Sequence, residues 1–208
     1  MTAMTSATLL EALTPFRESS APARAIRAGC VLFVAVLTAA AAQISIPLPY
    51  TQVPFTFQPT VVLLGGLVLG SRLGSLSQVL YLAAGIAGLP VFAASATLPP
   101  GVLRLLGPTG GYLMAYPFAA FAVGYLAERG FDRRYLTSVV AMAAGLVVIY
   151  TFGVTWLGLF ARVGATSAAV GLSTAIASGV LPFVIADLLK LSAAAAVGPG
   201  VWRLLGRP

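Results

Sequence analysis

The hydrophobic and polar positions of this chain sort into long apolar runs separated by short polar or proline-rich breaks. A spanning helix needs about 20 mostly apolar residues. Runs of that order cover residues 27–46, 110–127, 136–160 and 176–204, and two shorter ones cover 60–70 and 76–89. Pro47-Leu48-Pro49 closes the first run, and Pro59 stands where a helix begins without losing a hydrogen bond. Ser71-Arg72-Leu73-Gly74 separates the two short runs, and Pro90 closes the second. The pattern predicts an all-α membrane protein with six transmembrane helices. Merging 60–89 into one helix would leave five, but it would bury Arg72 at membrane depth. The short runs need tilt or flanking loop residues to reach across.

Composition fixes the class. The chain is 59% hydrophobic and 8% charged, against about 25% charged residues in soluble domains. So apolar a chain cannot cover a soluble surface. Its net charge of +7 would suggest nucleic acid in a soluble protein, but here the basic residues follow the runs. With the N-terminus inside, nine of the 12 basic residues are cytoplasmic: Arg17, Arg24, Arg27, Arg72, Arg129, Arg133, Arg134, Arg203 and Arg207. Arg104 and Arg162 fall outside, and Lys190 lies within the last run. Basic loops stay on the cytoplasmic side, so both termini are expected there, in a bacterial cytoplasmic membrane with lipid around the helices and no nucleic-acid partner.

Several chemistries are excluded. Without histidine, and with Cys30 as the single cysteine, there is no imidazole base, no intramolecular disulfide and no Cys or His metal cluster; no cofactor is called for. No GxxxxGK[ST] loop is present, so the chain does not hydrolyse ATP by that route. Residues 1–24 carry Glu11, Pro15, Glu18 and Pro22 and no long apolar core, unlike a signal peptide. They read as a mobile cytoplasmic leader, with a short amphipathic helix over 8–16, before a single membrane domain at 25–206.

The candidate chemistry centres on Asp187-Leu188-Leu189-Lys190, an acid and a lysine inside an apolar run. Three residues apart on a helix, they share one face. A charge at membrane depth costs about 2.5–3.5 kcal/mol even on lenient scales, so such residues face a partner or a polar cavity. The pair is either a structural clasp or a solute anchor. Gln78 and Tyr81 share another helical face, and either bond a neighbouring helix or line the same cavity. The uncharged outer loop PLPYTQVPFTFQP (47–59) offers Gln52, Thr56 and Gln58 as polar contacts beneath a lid, or is an interfacial aromatic loop. In the second outer loop Arg104 is the one charge. Gly107, Gly110 and Gly111 permit close backbone approach, either for turns and packing or for anion-binding amides at a helix start. Ala35 and Ala39 make a small-xxx-small face on the first run.

In order along the chain, the segments VPFTFQP (53–59), GLVLGSRLGSLSQVLYLAAGIAGLPVFA (66–93), LLGPTGGYLMAYP (105–117) and ADLLK (186–190) resemble the BioY family. This family comprises the biotin-specific S components of energy-coupling-factor (ECF) transporters. The resemblance implies a six-helix S-component fold and capture of biotin from outside. It also implies energisation by a transmembrane T component and two cytoplasmic ATPases. It puts Asp187 and Lys190 at the biotin, with Lys190 expected to meet the carboxylate, and it puts partner docking on Ala35 and Ala39. Gln78, Gln58, Tyr81 and Tyr112 are expected to suit the ureido and thiophane rings, with Thr56, Arg104, Gly110 and Gly111 as further contacts. Met114-Ala115-Tyr116 departs from the family pattern, and the chain has no asparagine, so any amide contact the family makes through asparagine must come from elsewhere or be missing. A carrier for another vitamin and a membrane-embedded enzyme using Asp187 stand as alternatives. The enzyme is disfavoured by the lack of a second buried acid or a nearby nucleophile.

Overall fold

The computed structural model describes residues 8–14, 20–95, 98–161 and 170–206; Arg17, Glu18, Arg162 and Arg207 of the charge pattern lie outside them. The first long helix, α2 (Ala21–Gln43), starts where Ser20 Oγ accepts from the Ala23 N–H and Pro22 fills the first turn. Beyond it Ser45–Ile46 (β1) and Phe55–Thr56 (β2) pair antiparallel, Ser45 opposite Thr56. The proline-stiffened loop between them is thereby closed into a hairpin.

Next comes α3 (Gln58–Ile86), whose 29 residues are interrupted at Gly70, φ 82° and ψ 179°. The two arms, 58–69 and 71–86, fold back on each other. Gln58 Nε2 donates to Tyr81 Oη at 2.6 Å across 23 positions, and a Cβ at Gly74 would lie 2.8 Å from the Gly66 Cα. The reversal uses a dihedral that essentially only glycine adopts. It frees the Ser71 amide, which donates to Glu128 Oε1 at 2.7 Å; the Ser71 hydroxyl donates to the same oxygen at 2.7 Å. With its N-terminus capped in this way, the second arm becomes helical at once. Residues 71–74, expected to be a break, therefore form its first turn, and Arg72 is exposed.

After a short helix α4 (Leu103–Leu106), α5 (Gly110–Leu126) runs into a π-helical turn at Ala127–Phe131, where Gly130 has φ 87°. Then follow α6 (Tyr135–Leu159), α7 (Leu172–Gly179), α8 (Val184–Ala194) and α9 (Val197–Leu204). Among the described residues five stretches are long and apolar enough to cross a membrane: Ala21–Gln43, Gln58–Ile86, Gly110–Phe131, Tyr135–Leu159 and Val184–Leu204. The two short runs thus appear as one helix broken into antiparallel arms. The last run is divided between α7, α8 and α9.

In an apolar solvent, helix association relies on close packing rather than on expulsion of water, and small residues make it possible. A Cβ at Gly66 would collide with the Ala120 carbonyl, one at Gly124 with the Gly70–Ser71 backbone, and one at Gly145 with Leu63 and Val123. The core accordingly lies between α3, α5 and α6. Ala35 is only 6% exposed and belongs to this core, and Ala39 is half-buried against it. The small residues serve packing inside the chain, while the outward face of α2 carries Leu32, Phe33, Val36 and Leu37.

The leader is also partly ordered. α1 (Leu9–Leu13) opens with a capping box: Glu11 N–H donates to Thr8 Oγ1 at 3.2 Å, and Thr8 N–H to Glu11 Oε2 at 2.9 Å. Leu9 and Leu10 are buried, Leu10 beside Val34 and Leu69, and the Thr8 methyl lies close to Gly70. Residues 8–14 are docked on the reversal rather than mobile.

Gly70→Ala is therefore expected to lower stability by about 1–3 kcal/mol from backbone strain alone, and more if Thr8 and Glu128 cannot move aside. Gly29, helical with open space around its Cβ position, should tolerate alanine with no loss. Thermal unfolding of the two variants in detergent checks the contrast.

Candidate functional site

Asp187 and Lys190 stand on the first two turns of α8, which begins just beyond Phe183. The Asp187 carboxylate is bound on both oxygens. Lys190 Nζ lies 2.5 Å from Oδ1, and the Tyr150 hydroxyl of α6 donates to Oδ2 at 2.7 Å. Lys190 also donates to the Thr56 carbonyl of the hairpin at 2.8 Å, and its ammonium sits 4.0 Å from the Phe55 ring centroid and 5.2 Å from that of Phe57. The two charges thus neutralise each other, and the flank of the ammonium turned from Asp187 is covered by ring faces. The arrangement ties hairpin, α6 and α8 together.

Against this node lies a cavity of about 900 Å³, within the range of pockets for small molecules. Its wall combines the hairpin (Gln52, Val53, Phe55, Thr56), the start of α3 (Gln58), the loop before α5 (Ala93, Arg104, Thr109), and Tyr112, Tyr116, Tyr150, Phe183 and Asp187 from the helices. Among the described lining residues Asp187 and Arg104 carry the only charges. Two hydroxyls hold the wall to the end of α7: Thr51 Oγ1 donates to the Ser178 carbonyl at 2.7 Å, and Tyr112 Oη to that of Gly179 at 2.9 Å. Arg104 braces its own loop, Nη1 donating to the Ala93 carbonyl at 2.7 Å and Nε to that of Pro99 at 3.1 Å. Loss of hydration at this half-covered site lowers its guanidinium pKa from the ordinary value.

The predicted residues separate into three groups. Asp187, Gln58, Thr56, Arg104 and Tyr112 come together on the cavity wall, as does Gln52. Lys190 and Tyr81 lie behind the wall. Lys190 holds Asp187 and the hairpin, and Tyr81 accepts from Gln58 and donates to the Val91 carbonyl at 3.3 Å. Gln78, Gly110 and Gly111 are elsewhere. The Gln78 amide donates to Thr38 Oγ1 of α2 at 3.3 Å and to Ser77 Oγ at 3.1 Å, so it joins helices. Gly110 donates its N–H to the Gly107 carbonyl and a Cβ there would strike the Leu105 carbonyl, whereas one at Gly111 would strike Trp156 and the Phe152 carbonyl of α6. Tyr150 was missed. Its signal was present, a lone tyrosine within the apolar stretch GLVVIYTFG.

Apolar helices, a hairpin-covered cavity of solute size and one charged node at its wall describe a multi-pass membrane protein with room for a small solute. A crystal structure of the S-component for biotin from an ECF-type ABC transporter shares the fold, with a TM-score of 0.76 at 21% identity, covering 88% of this chain and 94% of that one. The BioY family profile matches residues 15–207, and the chain belongs to the BioY family. Similar proteins include a probable biotin transporter BioY of Pyrococcus horikoshii, 44% identical over 78% of this chain and 87% of that protein. Another is a biotin transporter BioY of Thermotoga maritima, 38% identical over 83% and 91%.

Removing one partner of a buried ion pair is expected to cost about 3–5 kcal/mol, because the other charge is left bare. Lys190→Met should therefore unfold at clearly lower temperature, and adding Asp187→Asn should recover most of the loss. Purified variants melted in detergent provide the check, and additive losses would sever the pair from the fold's stability.

Proposed function

We propose that this chain captures biotin in the 900 Å³ cavity and serves as the S component of an ECF transporter energised by a T component and two cytoplasmic ATPases. The observation that carries the reading is the pairing of one acceptor-rich and one donor-rich charge on an otherwise uncharged wall. A ureido ring donates two N–H groups and accepts at one oxygen, and the acid on the wall is Asp187. The Gln58 carboxamide, whose nitrogen is held by Tyr81, is placed to accept a second N–H. Aromatic and aliphatic neighbours, Phe92, Tyr116 and Ile149, suit the sulfur ring. For the carboxylate, the cation on the wall is Arg104, while Lys190 holds Asp187 in position. Lys190 was the expected carboxylate anchor, and its engagement with Asp187, Thr56 and two rings shifts that role to Arg104.

Arg104→Ala is expected to weaken biotin binding by roughly ten- to a hundredfold, the range for a hydrogen bond to a charged group, and to weaken biotin methyl ester much less. Lys190→Ala should weaken both alike, because it acts through Asp187. Calorimetry with purified protein, with thiamin and riboflavin as competitors, decides. If Lys190→Ala alone erases the difference between acid and ester, the lysine holds the carboxylate after all. Preference for another vitamin would move the whole site to a different solute.

The membrane arrangement we infer has six crossings, each arm of α3 making one, with both termini cytoplasmic. Two facts support it: the antiparallel arms with exposed Arg72 between them, and the bias of basic residues to one side. A reporter fused after Pro208 is expected to be active only in the cytoplasm. Activity outside would reverse the orientation.

A further inference from the structure

A second pocket, of about 340 Å³, lies at the turn between α5 and α6, lined by Arg129, Gly130, Phe131, Arg133, Arg134 and Thr137. Three of its six lining residues are arginines and none is acidic. Of the nearby acids, Glu128 takes the Ser71 amide and hydroxyl, and Asp132, beside Arg133, accepts from Trp202 Nε1 at 2.6 Å. Two of the guanidiniums are held in place by rings. That of Arg129 lies 3.2 Å from the Tyr125 ring centroid and donates to the Tyr125 carbonyl at 2.8 Å. That of Arg133 lies 4.2 Å from the Trp202 ring centroid, close enough to Asp132 to offset part of the rise in pKa that burial gives this carboxyl. α6 also begins here without a side-chain cap, and the Thr137 hydroxyl is committed to the Phe131 and Arg134 carbonyls. First-turn amides at the positive end of a long helix and preorganised guanidiniums suit a phosphate group.

The surroundings say which phosphate. Tyr125, on which Arg129 lies, stacks on Phe121 with ring centroids 6.2 Å apart, and both rings are 44–47% exposed on a membrane helix. Tyr135 and Leu136 at the start of α6 are exposed as well. An apolar wall therefore continues from the pocket along the lipid-facing side of α5. Arg129 folds back one turn along that helix, so its charge lies over the Tyr125 ring at the edge of the wall. A free phosphate ion would use the arginines alone; a phospholipid uses the arginines and the wall. We propose that this pocket binds the phosphate of an anionic phospholipid, with an acyl chain lying along Phe121 and Tyr125. The proposal does not depend on which solute fills the large cavity.

The test is lipid retention by the purified full chain in native mass spectrometry, with phosphatidylglycerol and phosphatidylcholine offered in equal amounts. Preferential retention of phosphatidylglycerol is expected. Arg129→Gln with Arg134→Gln should lower it by roughly fivefold per arginine removed. Arg24→Gln with Arg203→Gln removes the same charge from exposed positions outside the pocket and should leave retention nearly unchanged. A separate arm adds inorganic phosphate. Equal retention of the two lipids, equal loss in both double variants, or arginine-dependent binding of inorganic phosphate without any lipid adduct would each overturn the proposal.

Discussion

An ionised carboxylate inside an apolar layer is stable only when its partners replace water, and Asp187 draws those partners from three separate parts of the chain. Lys190 comes from its own helix, Tyr150 from α6, and through Lys190 the carbonyl of Thr56 comes from the hairpin. Each partner solves a problem of its own by joining. Tyr150 finds an acceptor for a hydroxyl in the middle of α6. Lys190 finds acceptors for an ammonium that lipid cannot solvate. Thr56 offers a backbone carbonyl at the end of the strand pairing. Desolvation thus makes the node cooperative: removing any member strands the others. The cavity exists where it does because this node fixes the distance between hairpin and helices on one side of it.

The opposite requirement governs the helix interfaces. Lipid offers no hydrophobic gain for helix pairing, so α3, α5 and α6 come together through backbone contact at glycine and alanine. The Gly70 reversal joins the two requirements. It needs a conformation that a side chain resists, brings Gly74 onto Gly66, places Gly124 against its own backbone, and leaves one amide that Glu128 must satisfy. A loop of ordinary length would do the same job only by exposing several backbone groups near the membrane surface.

Much of this was legible in the sequence, for reasons that can be named. Charges and amides in apolar surroundings stand out, which is why Asp187, Gln58, Thr56, Arg104 and Tyr112 were found and do share one cavity wall. What sequence spacing does not carry is direction. Ala35 and Ala39 read as a face for close approach, and within the chain that face meets its own core. Gly110 and Gly111 read as open to backbone contact, and within the chain the contacts are the Leu105 carbonyl for Gly110 and Trp156 and Phe152 of α6 for Gly111. Gln78 has the right chemistry on a face turned to Thr38. The reversal was placed at residues 71–74 because Arg72 demanded an exit from the membrane. A single glycine suffices only because Glu128, 57 positions away, supplies the cap, and no local pattern reveals that partner. Tyr150 escaped notice because an aromatic residue in a membrane helix is ordinarily read by its ring and not by its hydroxyl.

The same node also ties the hairpin to the helices. The hairpin contributes only Ser45–Ile46 and Phe55–Thr56 to its ladder, and a two-stranded pairing of that length is marginal by itself. Its place is held by polar contacts, among them Lys190 to Thr56 and Thr51 to Ser178, each worth about 1–3 kcal/mol, and by Val53 and Phe55, which pack with the core of the helices. Phe55 and Phe57 also lie over the ammonium. The cavity wall on this side is therefore only as firm as its ties to the helices, and the Asp187–Lys190 pair is where the charge of α8 and the backbone of the hairpin meet.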